Sequence, residues 1–124
     1  MPVLMDALTH LISAAMKRDK VAFLDCLTPD IEYRYHINAR SLIGKEWVER
    51  FLDKYWQTTT DNVWRVDRYA ENGNMLLVEG YEEYVIKATG QKVCHPYMGI
   101  CEIRDGKIAR MRDYFEMGDA HNSA

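Results

Sequence analysis

Residues 106–117 read "GKIARMRDYFEM". In an extended chain alternate side chains share a face, so Ala109, Met111, Asp113, Phe115 and Met117 point one way, and Ile108, Arg110, Arg112, Tyr114 and Glu116 the other. The first face is apolar except for one carboxylate. An ionised carboxylate among apolar neighbours is costly unless it is paired or gives up its charge. Asp113 on a core-type face therefore predicts a hollow with an acid in its wall.

The strands before it follow from the same alternation. From Val63 onward apolar residues recur with period two, interrupted by "ENGN" at 71–74, "ATGQ" at 88–91 and "RDGK" at 104–107. Each interruption carries a glycine suited to the positive φ of a tight hairpin. Four consecutive antiparallel strands are predicted. In "LLVEGYEEYVIK", residues 76–87, the face of Leu76, Val78, Gly80, Glu82, Tyr84 and Ile86 is apolar but for Glu82, whereas Glu79, Glu83 and Lys87 mark the wetter side. In "KVCHPYMGICEI", residues 92–103, Val93, His95, Tyr97, Gly99, Cys101 and Ile103 alternate with Cys94, Pro96, Met98 and Ile100, and both sides look buried. With too few helices to cover both, a homodimer through the outer face at Met98 and Ile100 is expected.

The first half has helical spacing. Leu4, Leu8, Leu11, Ile12 and Ala15 form the stripe of an amphipathic helix over 3–17. "RDKVAFLDCLTPD", residues 18–30, reads as a short helix with Asp19 a candidate N-cap and Pro29 beyond its end. A brief strand is predicted at "IEYRYHI", residues 31–37, where Tyr33 and Tyr35 oppose Arg34 and His36. "GKEWVERFLDKYW", residues 44–56, returns to helix, with Trp47, Val48, Phe51, Leu52 and Tyr55 on one broad face. Helices followed by a meander predict an α+β fold, N-terminal helices packed on a strongly curved, mainly antiparallel sheet. The chain of 124 residues reads as one domain, with 118–124 expected to fray.

Bulk properties exclude several function classes. A formal charge of −3 and a pI near 5.8 give no broad attraction to nucleic acid or to an anionic membrane. The opening segment is too short and too interrupted by Asp6 and His10 to span a bilayer. Three irregularly spaced cysteines suit free thiols in a reducing cytoplasm. No cofactor or metal is expected, since His10, His36 and His121 lack ligand spacing and "TGQK" lacks the glycines of a phosphate loop.

The core-type faces thus deliver Asp113, Glu82 and His95 among tyrosines and aliphatic residues, the composition of a pocket with titratable groups in it. Asp113, Glu82 and His95 are the candidate catalytic residues. Tyr33, Tyr35, Tyr84, Tyr97, Phe115 and Trp56 are candidate substrate contacts, with Tyr33, Tyr84 and Tyr97 as phenolic donors to a developing oxyanion.

The run "GICEIRDGKIARMRDYFE" at 99–116, with "VEGYEEYVIKATG" at 78–90, "TPDIEYRYHI" at 28–37 and "LIGKEWVERF" at 42–51, resembles the nuclear-transport-factor-2-like, or cystatin-like, superfamily over nearly the whole chain. The resemblance is to SnoaL-like polyketide cyclases, limonene epoxide hydrolases and ketosteroid isomerases. It implies a cone-shaped pocket for a small hydrophobic molecule and dimers through the sheet. By the same resemblance Asp113 matches an aspartate used in acid or base chemistry, Glu82 a second acid of the hydrolases, and Tyr33 their water-positioning tyrosine. Two departures stand out. Gly80 occupies the position of the arginine that bridges the two acids in the hydrolases, and Tyr35 that of an asparagine that helps hold the water. The implied function is acid/base chemistry on a small carbonyl-type substrate, as an isomerase, aldol-type cyclase or dehydratase. The alternative is a non-catalytic binding or association module of the same fold, and epoxide hydrolysis is the minority reading.

Overall fold

The structure is a computed structural model and describes residues 4–115. Helix α1, Leu4–Met16, buries Ala7, Leu8, Leu11, Ala14 and Ala15 at the three- and four-residue spacing of one face. Helix α2, Lys20–Asp25, starts behind Asp19, whose Oδ1 accepts the Ala22 N–H at 3.1 Å, as the N-cap reading expects. Strand β1, Leu27–Arg34, and the two-residue β2, Leu42–Ile43, lead into helix α3, Lys45–Thr58. The meander follows as β3, Thr59–Asn72, β4, Met75–Ile86, β5, Lys92–Arg104, and β6, Lys107–Tyr114. The six strands form one sheet in the order β2-β1-β6-β5-β4-β3. All neighbours are antiparallel except β1 and β6, which run parallel, so the sheet is mixed. Helix α1 packs on β3, β4 and β6, and α3 on β1, β2 and β3. No helix among the described residues is long and apolar enough to cross a membrane.

Four local readings change. β1 begins at Leu27 and ends at Arg34, so Pro29 lies inside the strand while Tyr35 and His36 lie beyond it. Pro29 is tolerated because the β1–β6 register shifts between Leu27 and Glu32, and β2 pairs only with residues 32 and 33, leaving no ladder bond for it to break. β3 begins at Thr59, four residues before Val63. Trp47 is 53% exposed with the Arg50 guanidinium over its ring, so the buried stripe of α3 is narrower than expected and centres on Val48 and Leu52. Ile108 is fully buried although strict alternation groups it with Arg110. A bulge resolves this: Ile103 pairs with Ile108 and Glu102 with Arg110, so Ala109 has no partner and the alternation restarts. Residues 116–124, including Met117 and the 118–124 tail, lie outside the described residues.

The sheet is also drawn together at Gly80. A Cβ there would lie 2.1 Å from the Arg65 carbonyl oxygen and 2.8 Å from Tyr97 Cε1. Gly80 pairs with Val66 on β3 and Tyr97 on β5, beside a register shift between Val66 and Arg68. The clash is with backbone, which no rotamer change relieves. Gly80→Ala is therefore expected to lose about 3 kcal/mol of stability, the upper range for overpacking, measured by urea unfolding; a loss too small to detect contradicts the close approach.

Candidate functional site

Helix α3, the segment 35–39, the C-terminal end of α1 and the inner sheet face enclose a cavity of about 430 Å³. That is a small-molecule volume, within the roughly 300–1,000 Å³ of ligand sites. Roughly half of its lining residues are aromatic. The rings form a connected wall: Tyr35 stacks on Phe51 at 4.6 Å, Phe51 on Tyr55 at 5.6 Å, and Tyr84 meets Tyr55 edge-on at 5.5 Å. They pack so because α3 places Phe51 and Tyr55 one turn apart, facing β1 on one side and β4 on the other.

Asp113 opens into this cavity from β6. Its cross-strand partner is Gly99. A Cβ on Gly99 would stand 2.8 Å from Asp113 Oδ1 and 3.3 Å from Val78 Cγ2, so the carboxyl group occupies the place of the missing side chain. Among the described residues it accepts no hydrogen bond and makes no ion pair. Burial pushes its pKa well above the ordinary carboxylate value, and the charge of Glu82 adds to the shift. The side chain is thereby held toward the neutral acid.

Glu82 has the opposite situation. It stands on β4 between Trp64 of β3 and His95 of β5 in one cross-strand row, and it lines the cavity. His95 Nε2 approaches Glu82 Oε1 at 3.4 Å, close enough for an ion pair though off the line of a hydrogen bond. The other ring nitrogen, Nδ1, is 3.2 Å from the Pro96 carbonyl oxygen. Both nitrogens therefore face acceptors, the surroundings of an imidazolium. Burial lowers the His95 pKa, but the adjacent Glu82 carboxyl group and the Pro96 carbonyl outweigh it, and the net shift is upward. His95 is 5% exposed against 29% for Glu82 and does not line the cavity. It backs Glu82 from behind, its ring stacked on Phe115 at 4.2 Å.

Of the expected substrate contacts, Tyr33, Tyr35, Tyr84, Trp56 and Phe115 line the cavity and Tyr97 does not. The Tyr97 ring lies against Gly80, and its hydroxyl accepts the Trp64 Nε1–H at 2.6 Å, which turns it into a support for Trp64. Burial pushes the Tyr33 hydroxyl well up, reinforced by Asp113 and Glu82, and burial followed by Glu82 does the same for Tyr55 and Tyr84. All three stay protonated and able to donate. The sequence reading passed over Phe51, Tyr55, Asn62, Trp64 and His36 as lining residues. His36 is turned by its Nδ1 accepting the Asn38 N–H at 3.1 Å and by its edge contact with Phe115. Asn62 is set by Arg18, which also donates to the Trp56 and Thr59 carbonyls at the end of α3. Period and spacing give no sign of that long-range clamp.

The lining contains no lysine or arginine. Arg34 sits over the Tyr114 ring at 5.1 Å on the outer face, so it does not replace the cation missing at Gly80. No group of three His, Cys, Asp or Glu side chains able to hold a metal occurs among the described residues.

The unpartnered acid has a consequence for stability. A carboxyl whose folded pKa is above its unfolded value of about 3.9 contributes fully at lower pH, and that contribution is lost as pH rises through the folded value. Asp113→Asn keeps the shape and removes the titration. Its stability relative to the parent is expected to improve steadily from pH 4 to pH 8 in urea unfolding, and a constant difference across that range contradicts the assignment.

Residues 8–111 match the family model described as a SnoaL-like domain. No curated protein matches the chain in sequence. Among solved structures, a Burkholderia pseudomallei NTF2-like protein of unknown function superposes with a TM-score of 0.86 at 17% identity, covering 100% of both chains. An LEH-like epoxide hydrolase of Mycobacterium tuberculosis gives 0.80 at 20% identity, covering 91% of this chain and 82% of its own. A candidate polyketide cyclase of Pseudomonas putida gives 0.81 at 20% identity over 100% of both chains. At these identities the likeness is one of fold.

Proposed function

Starting from a chain that belongs to the SnoaL-like domain family, we propose an acid/base enzyme that moves a proton beside the carbonyl of a small, mainly apolar substrate. One observation carries the reading: the same cavity holds a carboxyl group kept toward its neutral form, Asp113, and a carboxylate braced by a buried histidine, Glu82. A carboxyl group held toward its neutral form beside a second one braced by a histidine gives one site a proton donor and a candidate acceptor, as general acid/base catalysis needs.

In this reading Glu82 accepts the proton from the carbon next to the carbonyl, and His95 orients its carboxyl group. Asp113 donates to the carbonyl oxygen as negative charge develops there. Tyr33 and Tyr84 supply further donors. Return of the proton to another carbon completes an isomerisation. Attack of the enolate on a second carbonyl, with Asp113 protonating the new alkoxide, gives an aldol-type closure. Neither route needs a redox partner.

Epoxide opening fits this chain less well. The position that would carry the bridging arginine is Gly80, where even one carbon meets the Arg65 backbone and the Tyr97 ring. Asp113→Asn is expected to lower turnover on a panel of enolisable ketones by about a hundredfold to ten-thousandfold while ligand affinity changes little. Retained turnover, or no turnover by the parent on any ketone in the panel, refutes the enzymatic reading and leaves a binding module.

We also propose that the protein is a homodimer through the outer sheet face. Met98 is 54% exposed there, with Leu77 and Tyr114 on adjacent strands also exposed and apolar. Sedimentation is expected to give a dimer for the parent and a monomer for Met98→Lys; a parent that sediments as a monomer at high micromolar concentration overturns the proposal.

A further inference from the structure

Two carboxyl groups, Asp113 held toward its neutral form and Glu82, face the interior of the cavity, and among the described residues no lysine or arginine lines it. His36, which also lines the cavity, accepts the Asn38 N–H at Nδ1. The imidazole behind Glu82 is kept out of the cavity by Glu82 itself. The rings of Tyr35, Phe51, Tyr55 and Tyr84, stacked or edge-on to one another within 5.6 Å, line the same cavity. Aromatic faces carry negative potential and attract organic cations held within about 6 Å of the ring centre, most strongly where water is excluded.

We infer that the cavity is built for a substrate carrying a small organic cation, a tertiary or quaternary ammonium group, and that it rejects anionic analogues. This rests on the reading of the cavity as the substrate site and names the class of molecule that enters it. The aromatic wall takes the ammonium by its alkyl groups, Glu82 supplies the counter-charge beside the carbon it deprotonates, and the carbonyl oxygen lies toward Asp113. An anionic substrate would meet Glu82 with no lysine or arginine among the described lining residues to pair with it.

Three molecules of one shape separate charge from size: choline, 3,3-dimethylbutan-1-ol and 3,3-dimethylbutanoate. Titration calorimetry on the full chain, followed in parallel by Trp56 and Trp64 fluorescence, is expected to show choline binding at least about tenfold tighter than the alcohol, with the carboxylate weakest. Glu82→Gln is expected to bring choline and the alcohol within about twofold of each other. Should that variant fail to fold, Tyr84→Leu supplies the same comparison by removing one face of the cage, and it is expected to weaken choline more than the alcohol. Equal or tighter binding of the alcohol, preference for the carboxylate, absence of binding by all three, or variants that weaken choline and alcohol alike overturns the inference. The ketone turnover of Asp113→Asn is read separately, so cation selectivity and proton transfer fail independently.

Discussion

A carboxyl group with no partner among the described residues, in a cavity walled by rings, is the constraint around which this structure is arranged. The cost of placing Asp113 there is met by neutralisation in place of pairing, and the geometry that allows it is the bare backbone of Gly99 directly across the strand pair. Any side chain at 99 would force the acid out of its place. The position of the acid is thus set by two neighbouring strands in the middle of a six-stranded sheet, where hydrogen bonds on both sides resist displacement.

The same economy recurs one step along the sheet. Gly80 leaves room for Tyr97 to lie flat, Tyr97 holds Trp64 through its hydroxyl, and Trp64 forms part of the cavity wall. Glu82 is placed by the row it shares with Trp64 and His95. Two glycines on adjacent strands thereby arrange an acid, a tyrosine and a tryptophan. Neither is a turn glycine, and each is required by close approach alone. The absence of an arginine at 80 and the compact floor of the cavity are therefore one structural fact.

Much of this was legible in the residues. Alternation in residues 76–86 and 93–103 places the inward faces correctly, and the three glycine turns locate every hairpin of the meander. The N-cap at Asp19 and the stripe of α1 are local and equally readable. What alternation misses is register. Ala109 is an unpaired residue that resets parity, so Ile108 turns inward, and nothing in "KIAR" announces it. The placement of β1 beside β6, and hence of Tyr33 near Asp113, is a contact between distant segments that no local pattern encodes. His95 and Tyr97 share the inward face with the cavity residues, but the depth of each depends on what stands in front: Glu82 before the histidine, Trp64 above the tyrosine. Alternation singled out Asp113 and the resemblance attached a role to it, while Gly99, Asn62 and His36 needed coordinates because their importance lies in what they touch.

The cavity has a rigid floor and a separate roof. The acids stand on central strands, whereas Phe51, Tyr55, Asn38 and Ala39 come from one helix and one connecting segment that pack above them. Chemistry and selectivity are accordingly encoded in different stretches of the gene. Exchange of residues on the roof can retune which molecules are admitted without disturbing the proton-handling pair, so this scaffold lends itself to diversification, in nature or at the bench, by substitution along α3 and the 35–39 segment.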